Sequence, residues 1–136
     1  MSTAIAWLRG ALLGAGRHTL EELGVEELTS MEQLDAVLQA SVGEPQYLFK
    51  HSTTCPISST AFREVEAYLQ SRGEGGPPVH LVKVIESRPV SNEIASRLGV
   101  THQSPQMILV ENGTGIWNAS HGSITASALT SAAAAG

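Results

Sequence analysis

Apolar positions along this chain alternate between short continuous runs and helical spacing. Val25 to Leu28 reads as a short edge strand. Thr29 and Glu32 have capping-box spacing, and Met31, Leu34 and Leu38 then recur at i, i+3 and i+7, which predicts a helix ending near Gly43 and Pro45. Tyr47, Leu48 and Phe49 form an apolar strand, and Ile57, Ala61, Val65, Tyr68 and Leu69 carry a second helix to about Gln70. Residues 73–78 form a loop, and 79–85 read as a buried strand. Pro89 opens a third helix with Val90, Ile94 and Leu98 on one face and Gly99 at its end. Met107 to Val110 is another buried strand. Asn112-Gly113 signals a hairpin into a last strand at 116–119, and Ser123 is positioned to cap a helix through the alanine-rich tail.

The order (β)α–βα–βα–ββ–α predicts an α/β fold in which a mixed sheet is flanked by helices on both faces. The strands that alternate with helices are expected to run parallel, and the hairpin adds an antiparallel strand. Residues 1–24, apolar and then acidic and broken by Gly10, Gly14 and Gly16, read as an N-terminal extension, partly helical or poorly ordered, ahead of one domain over 25–136.

Composition narrows the function. Of 136 residues, 42% are apolar and 15% charged, enough for a packed core. Eight Lys and Arg against thirteen Asp and Glu leave a net charge of −5, which argues against nucleic acid as a partner because phosphate binding needs clustered positive charge. No apolar run approaches the roughly 18 residues of a membrane span, and the N-terminus lacks a charged start before its apolar stretch. The expected location is the cytoplasm.

The chain has one cysteine, Cys55. It cannot close an internal disulfide, and taken alone it reads as a small buried hydrophobe. Its neighbours point elsewhere. In Lys50-His51-Ser52-Thr53-Thr54-Cys55-Pro56-Ile57-Ser58 the cysteine stands where a buried strand meets a helix N-terminus, with Pro56 at the first helical position. The thiolate is the reactive form of cysteine. A helix start favours it with unpaired N–H groups and partial positive charge. Backbone N–H groups of Ile57 and Ser58, and the Ser58 hydroxyl, are placed to bond the sulfur, and Lys50 or His51 would add charge if they reach it. A phosphate-binding cysteine loop would want Arg at position 61, which is Ala61; Arg63 comes two residues late. A hydrolase would want a histidine base, but His51, His80, His102 and His121 show no telling spacing, and each reads as a surface or structural residue. Pro105 follows Ser104 at the first residue of a strand, one of the few places in a sheet where proline fits; a trans proline closing the loop is compatible with these residues.

Cys55-Pro56-Ile57-Ser58 between strand and helix, with Ser104-Pro105 before a later strand, resembles the thioredoxin superfamily. The run Phe49 to Ser58 is more narrowly similar to the active site of monothiol bacilliredoxins of the YtxJ type. Arg88-Pro89-Val90-Ser91-Asn92, Gly99-Val100, Ser104-Pro105-Gln106, Ser120-His121 and Ile124-Thr125 continue that resemblance, which covers about residues 26–130. Gly122 departs from it, where a bulkier residue is expected.

The resemblance implies a thioredoxin-like fold and a thiol–disulfide oxidoreductase that removes bacillithiol from protein mixed disulfides. Cys55 would be the nucleophile, Thr54, Pro56, Ile57 and Ser58 its loop, and Ser104 with a cis Pro105 the segment that pairs with the incoming thiol ligand. Lys50 and His51 would stand behind. Bacillithiol would be a co-substrate and bacillithiolated proteins the partners, with no permanently bound cofactor and no metal. In two-cysteine relatives a second cysteine stands at the position of Ser58, so this chain lacks an internal resolving thiol. Two other readings are open: a monothiol module that shares an iron–sulfur cluster between two chains, and a non-catalytic interaction protein with an inert Cys55. Trp117 reads as core rather than as a ligand platform.

Overall fold

All six positions of Gln46–His51 are buried, so this strand is covered on both faces and lies inside a sheet rather than at its rim. In the computed structural model, which describes residues 20–135, it is the central strand of five. The elements are β1 (Glu26–Glu27), α1 (Met31–Ala40), β2 (Gln46–His51), α2 (Pro56–Arg72), β3 (Val79–Lys83), α3 (Arg88–Leu98), β4 (Gln106–Glu111), β5 (Thr114–Ser120), a 3-10 turn (His121–Ser123) and α4 (Ala126–Ala135). The sheet order is β1-β3-β2-β4-β5. The expected α/β architecture is present.

Alternate side chains of the strands divide the core in two. Tyr47, Phe49, Leu81, Met107 and Leu109 meet Ala61, Val65, Tyr68 and Leu69 of α2 and Leu129 of α4. Leu48, Val82, Ile108 and Val110 meet Leu34 and Val37 of α1 and Val90 and Ile94 of α3. The Tyr47 hydroxyl donates to the Leu129 carbonyl at 2.7 Å, tying the sheet centre to α4. Trp117, half-buried, packs edge-on to Tyr47 in the first of these layers, as expected for a core residue.

The structure corrects the sequence reading in four places. The capping box of α1 is Ser30 with Gln33, one residue later than Thr29 with Glu32. The Gln33 N–H donates to Ser30 Oγ at 3.2 Å, and the Ser30 N–H donates to Gln33 Oε1 at 3.1 Å. The last helix is capped by Thr125, whose Oγ1 accepts from the Ala128 N–H at 3.1 Å, while Ser123 ends the 3-10 turn. β3 stops at Lys83, because the chain turns at once and the Ser87 N–H closes on the Lys83 carbonyl, leaving Ile85 exposed.

The largest difference is direction. β1, β3 and β2 are parallel, but β4, the first strand of the hairpin, already runs antiparallel to β2. α3 ends beside the far end of the sheet, where Leu98 and Val100 lie against Gly115, and residues 99–105 run back to enter β4 beside Lys50. An extended segment covers roughly 3.3 Å per residue, so this connection is long enough to reverse the strand.

The expected N-terminal extension falls largely outside the described residues. Its last part, 20–24, is a turn whose Leu20 is buried in the core.

Candidate functional site

The site forms where β2 and β4 share their last pair, Lys50 opposite Gln106. From this rung one strand continues through His51 into the cysteine loop. The other is entered from Ser104 and Pro105. Both segments therefore leave the sheet at the same end, one strand spacing apart. The Ser104–Pro105 bond is cis, and the Pro105 carbonyl accepts the His121 N–H at 3.1 Å, which draws in the end of β5. A Cβ built on Gly122 would meet nothing, so the small residue there leaves no packing defect.

Beyond β2 the chain makes one turn and starts α2. The Cys55 N–H reaches the Ser52 carbonyl at 3.4 Å, and Ser52 Oγ and Thr54 Oγ1 are bonded at 3.2 Å. Thr53 Oγ1 donates to Glu86 at 3.4 Å across to the turn after β3. Cys55 is the N-cap of α2, with extended backbone (φ −103°, ψ 122°), and its carbonyl accepts the Ser59 N–H at 3.1 Å. Pro56 occupies the first turn, where its missing N–H costs nothing. The thiol is partly exposed, between exposed Thr54, Pro56 and Ile57.

The sulfur caps nothing. No hydrogen bond joins the Cys55 side chain to its helix, so the expected N–H contacts from Ile57 and Ser58 are not made. The Ser58 hydroxyl is engaged elsewhere: fully buried, it accepts the Ser52 N–H at 3.0 Å and lies 2.6 Å from His51 Nδ1. The Ser52 N–H donates to this hydroxyl, and one further proton lies between its oxygen and Nδ1. Burial first, and then the Lys83 charge, hold His51 below the usual histidine range, so the ring stays neutral. His51 and Ser58 thus brace the loop from beneath. The ring stacks near Phe49 and Phe62, 5.6 and 5.0 Å between centroids.

On the same side of the sheet, a cavity of about 230 Å³ is lined by His51, Thr53, Glu27 and Lys83 together with Phe62 and Leu81. Lys83 and Glu27 form an ion pair there at 3.5 Å.

Lys50 faces the other way. It shares the α1/α3 side with Leu48, is fully buried, and sits 3.1 Å from His102 Nδ1. Desolvation lowers its pKa to about 8. His51 and Lys50, expected together behind the cysteine, are thus on opposite faces of the sheet, as consecutive strand residues must be. His80 is structural, bonded to Gln46 at 2.8 Å and facing Glu26 at 3.4 Å. Among the described residues no three His, Cys, Asp or Glu stand together as a metal-binding group, and no helix is long and apolar enough to cross a membrane.

Residues 26–129 match the family model described as monothiol bacilliredoxin BrxC. The chain belongs to the monothiol bacilliredoxin family. Among solved structures, it is 32% identical to one described as an oxidoreductase with a thioredoxin fold, over 79% of this chain and 92% of that one, with a TM-score of 0.71. Mitochondrial thioredoxin 3 of Saccharomyces cerevisiae (13% identity, 82% of this chain and 95% of that one, TM-score 0.64) and the thioredoxin of Fasciola hepatica (16%, 82% and 98%, 0.62) share the fold. This bacilliredoxin has the thioredoxin-like fold and is a thiol–disulfide oxidoreductase with one cysteine in its sequence.

Sequence reasoning gave His102 a surface or structural role and named Arg88 only within the run 88–92, with no site role for either. Their relation to Lys50 depends on the β2–β4 register and on how the 101–105 loop returns, neither of which leaves a local signature.

Proposed function

We propose that this protein removes bacillithiol from protein mixed disulfides in the cytoplasm, with Cys55 as the nucleophile. The observation that carries this reading is a single, partly exposed cysteine at the start of a helix, its sulfur unengaged by that helix, in a chain of the monothiol bacilliredoxin family. The Cys55 thiolate attacks the bacillithiol sulfur. The bond to the carrier protein breaks, and that protein's thiolate leaves and takes up a proton. Cys55 is left joined to bacillithiol. A second small thiol then attacks the bacillithiol sulfur, forming a small-molecule disulfide and restoring Cys55. Thr54, Pro56 and Ile57 shape the rim that meets the carrier, while Ser58 supports the loop from within. The backbone at Ser104, held by Pro105, pairs with the thiol ligand. Bacillithiol enters as a substrate and no resident cofactor takes part.

Intact-mass spectrometry tests the reading. Reduced protein is mixed with a bacillithiolated carrier, in parallel with Cys55→Ser. The expected result is one bacillithiol gained by the wild type, the carrier thiol freed, and no transfer to the variant. Transfer from a glutathionylated carrier alone would keep the mechanism and replace the thiol. No transfer from either would overturn the reading.

A further inference from the structure

A group of basic side chains lies on the α1/α3 side of the site, across the sheet from the cavity. Lys50 is its centre. An ammonium has three donors and no acceptor, so His102 Nδ1 must accept the Lys50 proton, and the His102 proton is then on Nε2. His102 is exposed. Burial, followed by the charges of Lys50 and Arg88, holds it below the usual histidine range, so it remains a neutral N–H donor. Arg88, also exposed, is the first residue of α3.

Among the described residues, neither Lys50 nor Arg88 has a carboxylate within ion-pair distance, whereas Lys83 and Arg97 do. In a chain of net charge −5, this is an uncompensated positive site. The fold does not account for it, because a buried ammonium without a carboxylate partner is less favourable than a well-packed apolar side chain. The position does account for it. His102 lies in the loop that ends in the cis proline, and that loop is pinned by the Gln106 side chain, which donates to the Thr101 carbonyl at 3.0 Å and accepts the Gln103 N–H at 3.3 Å. Ser104, two residues after His102, has a buried hydroxyl with no hydrogen-bond partner. His102 thus stands in the segment proposed above to pair with the thiol ligand, and Lys50 stands at the rung from which that segment and the cysteine loop both leave the sheet.

We infer that His102 and Arg88, backed by the covered Lys50 ammonium, form an anion subsite for a carboxylate carried by the small thiol that Cys55 exchanges. The inference rests on the exchange reaction proposed above and names the chemistry of its ligand. Lys50 is a positioning residue. It fixes the outward direction of the His102 N–H and adds its field.

The test compares two mixed disulfides on the same uncharged carrier peptide, one made with 3-mercaptopropionate and one with 2-mercaptoethanol. The readout is the ratio of transfer rates, so that the intrinsic reactivities of the two disulfides cancel between variants. Arg88→Gln is expected to lower the carboxylate-to-neutral ratio about tenfold, the scale of one hydrogen bond to a charged group, and Lys50→Met to lower it by less, since Lys50 acts only through His102 and its field. A general loss of packing would lower both rates and leave the ratio unchanged. Arg88 is exposed, so its variant tests the subsite without disturbing the core. An unchanged ratio in both variants overturns the subsite while leaving the exchange reaction standing. A preference that follows the charge of an acidic carrier peptide instead of the thiol's carboxylate also overturns it. A wild type that opens neither disulfide overturns the exchange reaction itself.

Discussion

Lys50 carries a stability cost that depends on pH in a definite direction. Desolvation places its folded pKa near 8, against 10.5 for the free side chain. Between those values the folded chain binds fewer protons than the unfolded one, so stability attributable to this residue rises with pH across that window. Below pH 8 the full cost is present. Lys50→Met, similar in length and uncharged, should be more stable than the wild type at pH 7 by on the order of 2 kcal/mol, with the gap shrinking toward pH 10. Urea denaturation of both proteins at the two pH values checks this, and a gap that stays constant contradicts it. The residue also marks the limit of what was legible at this scale. Cys55, Pro56 and the serine at 58 could be placed from the chain alone, because a proline and a helix start are local signals. The partners of Ser58 and Lys50 could not. Ser58 turns inward to His51 and Ser52, and Lys50 finds His102 fifty-two positions away, because strand direction and register decide which side chains meet.

At the scale of elements, the helices and strands were readable and their edges and directions were less so. Two overlapping matches to one capping pattern begin at Thr29 and at Ser30. Only the geometry selects the second, in which Leu34 and Val37 point into the core. Ser30→Ala should therefore destabilise the protein by about 1 kcal/mol, and Glu32→Ala by no more than a few tenths. Comparing the midpoints of thermal unfolding checks the order, and equal effects would return the cap to Thr29. The reversed β4 has a different origin. Alternation of helices and strands implies parallel pairing only where each helix brings the chain back to the starting end of the sheet. The 99–105 segment undoes that return, and its sequence, polar with one proline, looks like any long connection.

The whole molecule is graded from its centre outward. β2 and β4 pair directly and are buried almost throughout, whereas β1 is two residues long and β5 is a half-exposed edge. Amide exchange should be slowest for Tyr47–Phe49 and Met107–Leu109 and distinctly faster at Glu26–Glu27 and along β5. Mass spectrometry of proteolytic fragments after timed deuteration checks this, and equal protection of edge and centre would contradict it. The cysteine loop and the proline loop thus hang from the firmest part of the structure, at the Lys50–Gln106 rung. This divides the chain into lengths that are fixed and lengths that are free. One residue inserted within 46–50 would turn the rest of that strand over and present the cysteine loop to the wrong layer. One inserted at 52–54 or 101–103 lies outside the paired frame, so the sheet keeps its register and only the loop bonds to Ser58 and Gln106 must re-form. Variation in length is thus confined to two loops while the strands keep theirs.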